Sequence, residues 1–174
     1  MKFLRLVGLW VLMGVLPGEA LAVQQMRVPF NFQWGDSERR VEQSLLGIKA
    51  RIVERSTVAG RRVLVVEGIP QRQLLRALFY FKEDALGEIE LQYGDRSWST
   101  PQYESFFEQV RRNVDGKYGI GRLVTRTRNR EGEVMQTLVG YQWMQGLIAL
   151  RLFLFTAEKN GESLRVLSLH YKEL

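Results

Sequence analysis

Hydrophobic and polar positions follow the same order of patterns twice along the chain. In each half, a segment whose apolar residues recur at helical spacing is followed by four shorter runs in which apolar and polar residues alternate. The helical spacing predicts helices over residues 37–46 and 100–118. The alternation predicts strands over residues 50–58, 61–67, 73–82, 88–93, 122–130, 134–144, 147–156 and 163–171, with a further edge strand over 30–34.

Short turns connect the predicted strands, and several carry a glycine, which is the usual signal of a hairpin. Because short turns make consecutive strands neighbours, we expect an antiparallel sheet. The ends of the two halves, residues 78–93 and 152–171, also look alike, which favours an internal duplication. The sequence therefore predicts an α+β fold of two tandem α-β-β-β-β units, residues 23–97 and 98–174, forming antiparallel sheet with the helices on one face. The opposite face is left partly open.

The first 22 residues have the order of features found in a signal peptide. Lys2 and Arg5 precede an apolar stretch, residues 6–16, which is too short to cross a bilayer as a helix. Pro17-Gly18 then breaks the stretch, and Ala20-Leu21-Ala22 offers small residues to a signal peptidase. We expect cleavage near Ala22 and a periplasmic or secreted mature protein without a transmembrane segment.

Composition excludes several kinds of chemistry. The chain has no cysteine and one histidine, so disulfides, thiolate metal sites, cysteine nucleophiles and histidine metal clusters are ruled out. No metal site and no cofactor are therefore expected. The net charge is +6, and removal of residues 1–22 leaves 23 basic against 18 acidic side chains. This excess is too modest to predict nucleic-acid binding by an exported protein.

Candidate catalytic groups are few. A serine triad would have to use His170, which has Ser168 two residues before it on the same face of the last predicted strand. If Leu167, Leu169 and Tyr171 face the core, His170 lies on the open face. The carboxylate pairs lie in or beside predicted turns, where solvation alone accounts for charge: Glu83-Asp84, Glu88 with Glu90, and Glu131 with Glu133. The sequence therefore predicts a protein that is not an enzyme.

Arginine is the most distinctive feature. All four arginines of one predicted strand have even numbers, which predicts that they share one face: Arg122, Arg126, Arg128 and Arg130. Lys49, Arg51 and Arg55 follow the same spacing on the matching strand of the first half. Guanidinium groups bind carboxylates and phosphates in a bidentate manner. The row is either a surface for an anionic partner or an edge strand that its charge protects from aggregation.

Trp98 lies in the segment between the two predicted units. An aromatic residue there is either a lid on the core at the junction or an exposed contact residue.

A short motif in the first helix carries a family resemblance. Gly35-Asp36-Ser37-Glu38, followed by Val41, Leu45 and Gly47, fits G-x-[ST]-x-x-x-V-x-x-x-L-x-G and resembles the opening of SmpA/OmlA-like outer-membrane-assembly lipoproteins. The tandem helix-plus-four-strand order is similar to that of secreted β-lactamase-inhibitor proteins. Both families are non-catalytic and bind other proteins, which implies a binding role. The chain lacks the lipidated cysteine of the first family and the disulfides of the second, and no binding residues are carried over.

The sequence thus predicts a non-catalytic exported interaction protein that binds an envelope protein or an anionic envelope component across its open sheet face. The alternative is a periplasmic carrier or chaperone for a lipid or other amphiphile, which would use apolar surface between sheet and helices. The predicted partner-binding residues are Arg122, Arg126, Arg128, Arg130 and Trp98.

Overall fold

The computed structural model describes residues 25–174, in which each of two helices is followed by four strands. Helix α1 is Glu38–Gly47 and helix α2 is Thr100–Tyr118. The strands are β1 Arg51–Val58, β2 Arg61–Glu67, β3 Leu74–Lys82, β4 Ala85–Tyr93, β5 Arg122–Glu131, β6 Val134–Gln145, β7 Ile148–Lys159 and β8 Glu162–Glu173.

All eight strands form one antiparallel sheet in the order β1-β2-β3-β4-β8-β7-β6-β5. Each half is a meander of consecutive hairpins, and the halves join where β4 pairs with β8. The Leu91–Leu169 pair lies near the middle of this junction. The predicted α+β class and antiparallel sheet are therefore confirmed.

Local sequence explains where the helices begin. The Ser37 side chain accepts a hydrogen bond from the backbone N–H of Arg40 at the start of α1. At α2, the Gln102 side chain accepts from the backbone N–H of Ser99, in a capping box with a proline in the first turn. Both helices pack on one face of the sheet, called the helix side; the other face, which carries Glu88 and His170, is called the open face.

The main core lies between the helices and the helix side of the sheet. Its buried side chains come from every strand except the two edges, and those without exposed surface or nearly so include Val41, Leu45, Phe79, Ile89, Leu150, Leu152 and Leu167. Phe79 has no exposed surface, so its truncation to alanine should cost about 3–5 kcal/mol of unfolding free energy. This core fixes both helices against the same face, as predicted from the sequence.

Each edge strand carries a bulge near its start. In β1 the register shifts between Ile52 and Glu54, and in β5 it shifts between Leu123 and Thr125. The extra residue reverses the alternation of side chains, so residues before the bulge face opposite to the side expected from their numbers.

Three sequence predictions need correction or lie outside the described residues. Residues 30–34 do not form an edge strand; Pro29–Asn31 is a 3₁₀ turn, and the Phe32 ring packs edge-on against Phe79 at 5.4 Å. β4 begins at Ala85, three residues earlier than predicted, because the β3–β4 hairpin is tighter than expected. The predicted signal peptide, residues 1–22, lies outside the described residues. Within residues 25–174, neither helix is long and apolar enough to cross a membrane.

Candidate functional site

The open face is polar at its centre, where β4 meets β8. Ile89 and Leu91 on β4 and Leu169 on β8 point into the core. Because side chains alternate along a strand, the residues between them point to the open face. This alternation places Glu88 and Glu90 beside Ser168 and His170.

Glu88 and His170 form the middle of a hydrogen-bonded chain. His170 Nδ1 lies 3.1 Å from Glu88 Oε1, and His170 Nε2 lies 3.0 Å from Ser168 Oγ. Arg61 on β2 donates to Glu88 Oε2 at 2.6 Å. Burial of Glu88 opposes its ionisation, but the hydrogen bonds from His170 and Arg61 outweigh burial and lower the pKa of Glu88 to about 2. Glu88 is therefore an ionised carboxylate at neutral pH.

Glu90 is held by a second set of hydrogen bonds. Its side chain is only 10% exposed, and it accepts from Tyr80 Oη at 2.7 Å and from Gln92 Nε2 at 2.6 Å. Burial, and then the bond to Glu90, raise the pKa of Tyr80 well above its usual range, so this hydroxyl stays a donor. Gln92 in turn accepts from Arg76 Nε at 2.7 Å. Both carboxylates are thus satisfied by neighbouring side chains.

The chain Ser168–His170–Glu88 has the same order of groups as a serine-hydrolase triad. The structure confirms that His170 faces the open side beside Ser168, and it adds Glu88, which lies within β4 rather than in a turn. Ser168 is 5% exposed, and the Phe153 ring packs edge-on against His170 at 5.6 Å. A nucleophile needs room for a substrate carbonyl, and Ser168 has none. We therefore interpret these three hydrogen-bonded side chains as a structural link between strands β4 and β8.

A row of cationic and polar side chains crosses the second half of the open face. Cross-strand pairing aligns Arg122 on β5, Gln142 on β6, Arg151 on β7 and His170 on β8. We call these four residues the cross-strand row. Arg151 Nε donates to Gln142 Oε1 at 2.9 Å, which fixes its orientation. Arg122 and Arg151 are two strands apart, roughly 10 Å.

The cations of this region lack acidic partners. Within residues 25–174, no carboxylate oxygen lies within 4.0 Å of a side-chain nitrogen of Arg122, Arg151 or Lys172. Lys172 lies beside the row, directly opposite Glu88 on the neighbouring strand. Since Glu88 and Glu90 are already occupied by their own partners, the open face of the second half presents uncompensated positive charge.

The prediction that the four arginines of β5 share one face is wrong. Arg122 pairs with Gln142 and faces the open side, whereas Arg126, Arg128 and Arg130 pair with residues of the helix side. The bulge between Leu123 and Thr125 separates them. The same error affects the first half: Arg51 and Arg55 lie on opposite faces because of the β1 bulge, and Lys49 precedes the strand.

Arg126 and Arg128 line a groove between α2 and the helix side of β5–β7, with a volume of about 550 Å³. Trp98 is half-buried, and its ring packs against Tyr103 at 5.3 Å and against Phe106 at 5.2 Å. The lid interpretation of Trp98 thus fits the structure, since the ring closes the core at the start of α2.

Arg151, Lys172 and Arg76 were missed from the sequence. Arg151 lies in an apolar strand between Leu150 and Leu152, which are both fully buried. A single cation alternating with core residues is a signal for an open-face position, and it marks the same face as His170. Its alignment with Arg122, however, depends on the bulge, which the residue pattern does not show.

Within residues 25–174, no cluster of three or more histidine, cysteine, aspartate or glutamate side chains is arranged to hold a metal ion. No protein-family model, no curated protein and no solved structure matches this chain. The geometry of the open face therefore carries the functional interpretation alone.

Proposed function

We propose that this protein is a non-catalytic exported binding protein whose open sheet face holds an anionic surface of a partner protein. The observation that carries this proposal is the cross-strand row, in which Arg122 and Arg151 lie on one face without an acidic partner among residues 25–174. Export rests on the predicted signal peptide, and the mature protein would act in the periplasm or outside the cell.

Charge complementarity favours an acidic partner. Glu88 and Glu90 are neutralised or hydrogen-bonded by Arg61, Tyr80 and Gln92. The remaining positive charge is therefore free to attract carboxylates, and guanidinium groups bind them in a bidentate manner. Arg151 is half-buried and oriented by Gln142, so it loses less conformational freedom on binding than a free surface arginine.

The composition of the face favours a protein over a small molecule. Half-buried aromatic side chains flank the polar centre, namely Tyr80, Phe153 and Phe155. Aromatic residues and arginine are enriched where proteins bind one another tightly. An uncovered sheet face with this mixture suits a broad protein surface.

We further infer that the chain contains two copies of one α-β-β-β-β unit, residues 23–97 and 98–174. The bulges support this inference, since each follows the second residue of the strand after a helix. The strand order is also symmetric about the β4–β8 junction. Such a duplication agrees with the resemblance to β-lactamase-inhibitor proteins and SmpA/OmlA-like proteins, which implies a binding role.

A second candidate function is favoured by one observation, the groove between α2 and β5–β7. This groove offers apolar surface between sheet and helix, as expected of a carrier or chaperone for a lipid or other amphiphile.

A matched pair of charge reversals tests the open-face proposal. Arg122→Glu with Arg151→Glu changes the open face, and Arg126→Glu with Arg128→Glu makes the same charge change on the helix side. After crosslinking in the native cell envelope, we expect the partner captured by wild type to be lost with the first variant and kept with the second. Equal capture by both variants, or equal loss, would contradict the proposal.

The absence of catalysis has its own test. A fluorophosphonate probe labels activated serines, and we expect no labelling of Ser168 because its side chain is buried beside Phe153. Labelling that disappears in Ser168→Ala and in His170→Ala would instead identify a hydrolase.

A further inference from the structure

The groove between α2 and the sheet has an apolar floor. Phe107 of α2 lies at the base with Val139 of β6 and Leu154 of β7, and Met135 lies nearer the end of the strands. Its volume of about 550 Å³ falls within the range of small-molecule sites. The groove is on the helix side, so it is separated by the sheet from the open face.

In the first half of the molecule, the arginines at the corresponding edge of the sheet are paired with acidic side chains of helix α1. Arg55, two residues after the β1 bulge position, bonds to Glu42 of α1 at 2.9 Å. Arg62 of β2 forms a further pair with Glu38 of α1. Helix and edge strand are thus tied together.

In the second half, the basic wall is left unpaired. Arg126 occupies the same position relative to the β5 bulge as Arg55 does in β1, and Arg128 follows on the same face. In the part of the chain that the structure describes, no carboxylate oxygen lies within 4.0 Å of either guanidinium. The groove therefore keeps two free guanidinium groups beside its apolar floor.

Acidic side chains also line the groove. Glu108 is neutralised by Arg111 of the same helix, at 2.8 Å. Glu104 of α2 and Glu158 of β7 have no cation within 4.0 Å among residues 25–174. A strongly anionic ligand would be repelled by these two carboxylates. A ligand with one negative and one positive group would instead complement both the pair of arginines and the pair of carboxylates.

We propose that this groove binds a single-chain amphiphile with a zwitterionic phosphate-amine head group. The phosphate contacts Arg126 and Arg128, because guanidinium groups match phosphate oxygens in pairs. The amine faces Glu104 and Glu158. The acyl chain lies on Phe107, Val139 and Leu154, where its burial supplies most of the affinity.

Lysophosphatidylethanolamine, used below its micellar concentration, is the probe. Isothermal titration should show saturable binding to the full chain with one ligand per molecule. Free phosphoethanolamine, which has the same head and no acyl chain, should bind at least a hundredfold more weakly. Equal affinity for the two ligands would overturn the proposal, since the apolar floor would then contribute nothing.

Two double variants test the basic and the acidic side chains of the groove separately. Arg126→Glu with Arg128→Glu should weaken binding at least tenfold, and both arginines are exposed, so the melting temperature should stay unchanged. Glu104→Gln with Glu158→Gln should abolish the preference for lysophosphatidylethanolamine over lysophosphatidic acid, which lacks the amine. Full affinity in the arginine variant, or wild-type preference in the glutamine variant, would overturn the proposal.

The open-face variant Arg122→Glu with Arg151→Glu serves as the control. It should keep the affinity for the amphiphile, because its substitutions lie on the other side of the sheet. Amphiphile binding that fails in this variant as strongly as in the groove variant would place the ligand elsewhere and overturn the assignment.

Discussion

Glu88 Oε1 lies 3.1 Å from His170 Nδ1, a contact that joins the two halves of the sheet across the β4–β8 junction. The two residues are 82 positions apart in the chain. Arg61 holds the other oxygen of the same carboxylate, so three strands, β2, β4 and β8, are tied together by one ionised side chain.

The ionisation of Glu88 should make stability depend on acid pH. Its folded pKa of about 2 is below the ordinary value of 4.5, so the unfolded chain binds more protons between these values. The stabilisation is present above about pH 4.5 and is lost as the pH falls towards 2. We expect Glu88→Gln to lower the free energy of unfolding by about 2 kcal/mol at pH 7, allowing for solvent screening.

Urea unfolding at several pH values between 2 and 7 measures this effect. The Gln variant should lose less stability than wild type over that interval, because it has no proton to take up at this site. Glu162→Gln, an exposed position at the start of β8, is the control and should follow wild type. Parallel curves for wild type and Glu88→Gln would show that the carboxylate is not held in its ionised form.

Gly140 should not tolerate a methyl group. A Cβ built there would lie 2.5 Å from Cδ1 of Phe153 and 2.9 Å from Cγ2 of Thr125, closer than such atoms approach. We expect Gly140→Ala to destabilise the fold by about 1–3 kcal/mol, as overpacking does. Gly87→Ala in β4 meets nothing within 4 Å and should be neutral or slightly stabilising. Thermal denaturation of both variants tests this prediction, and equal changes in melting temperature would contradict the predicted contact.

Asp115 should stabilise the junction of α2 with the second half of the sheet. Its Oδ1 accepts from the Trp143 indole at 3.0 Å and from the backbone N–H of Gly121 at 2.8 Å. Asp115→Ala leaves the Gly121 donor without this acceptor, so we expect a loss of about 2–3 kcal/mol. Asn113→Ala, on the exposed side of the same helix, should change stability by less than about 0.5 kcal/mol. Urea unfolding, followed by circular dichroism, provides the comparison.

Much of the secondary structure follows from local pattern. Helix α2 is predicted with its observed bounds because Thr100 and Pro101 mark its start and Tyr103, Phe107 and Val114 recur at helical spacing. Strand β2 likewise matches its prediction, since turn residues flank it on both sides. These features depend only on residues close in sequence.

The candidate site depends on features that are not local. Val53 and Val124 lie at the two bulges, and nothing in a run of alternating residues marks a valine as the extra one. The even residue numbers therefore predict that Arg122 and Arg128 share one face, although the two side chains lie on opposite faces of the sheet. The pairing of β4 with β8 brings Glu88 to His170. These strands are far apart in sequence, and the residue pattern of either strand alone does not indicate that they pair.

The strand order also determines when the sheet can be completed during synthesis of the chain. β8 follows all seven other strands, yet it is the strand that β4 must pair with. Until β8 is available, β4 and β7 both present unpaired backbone edges, which are templates for aggregation. The first half consequently remains incomplete for as long as the second half is being made, and a holding chaperone would have its greatest effect during that interval.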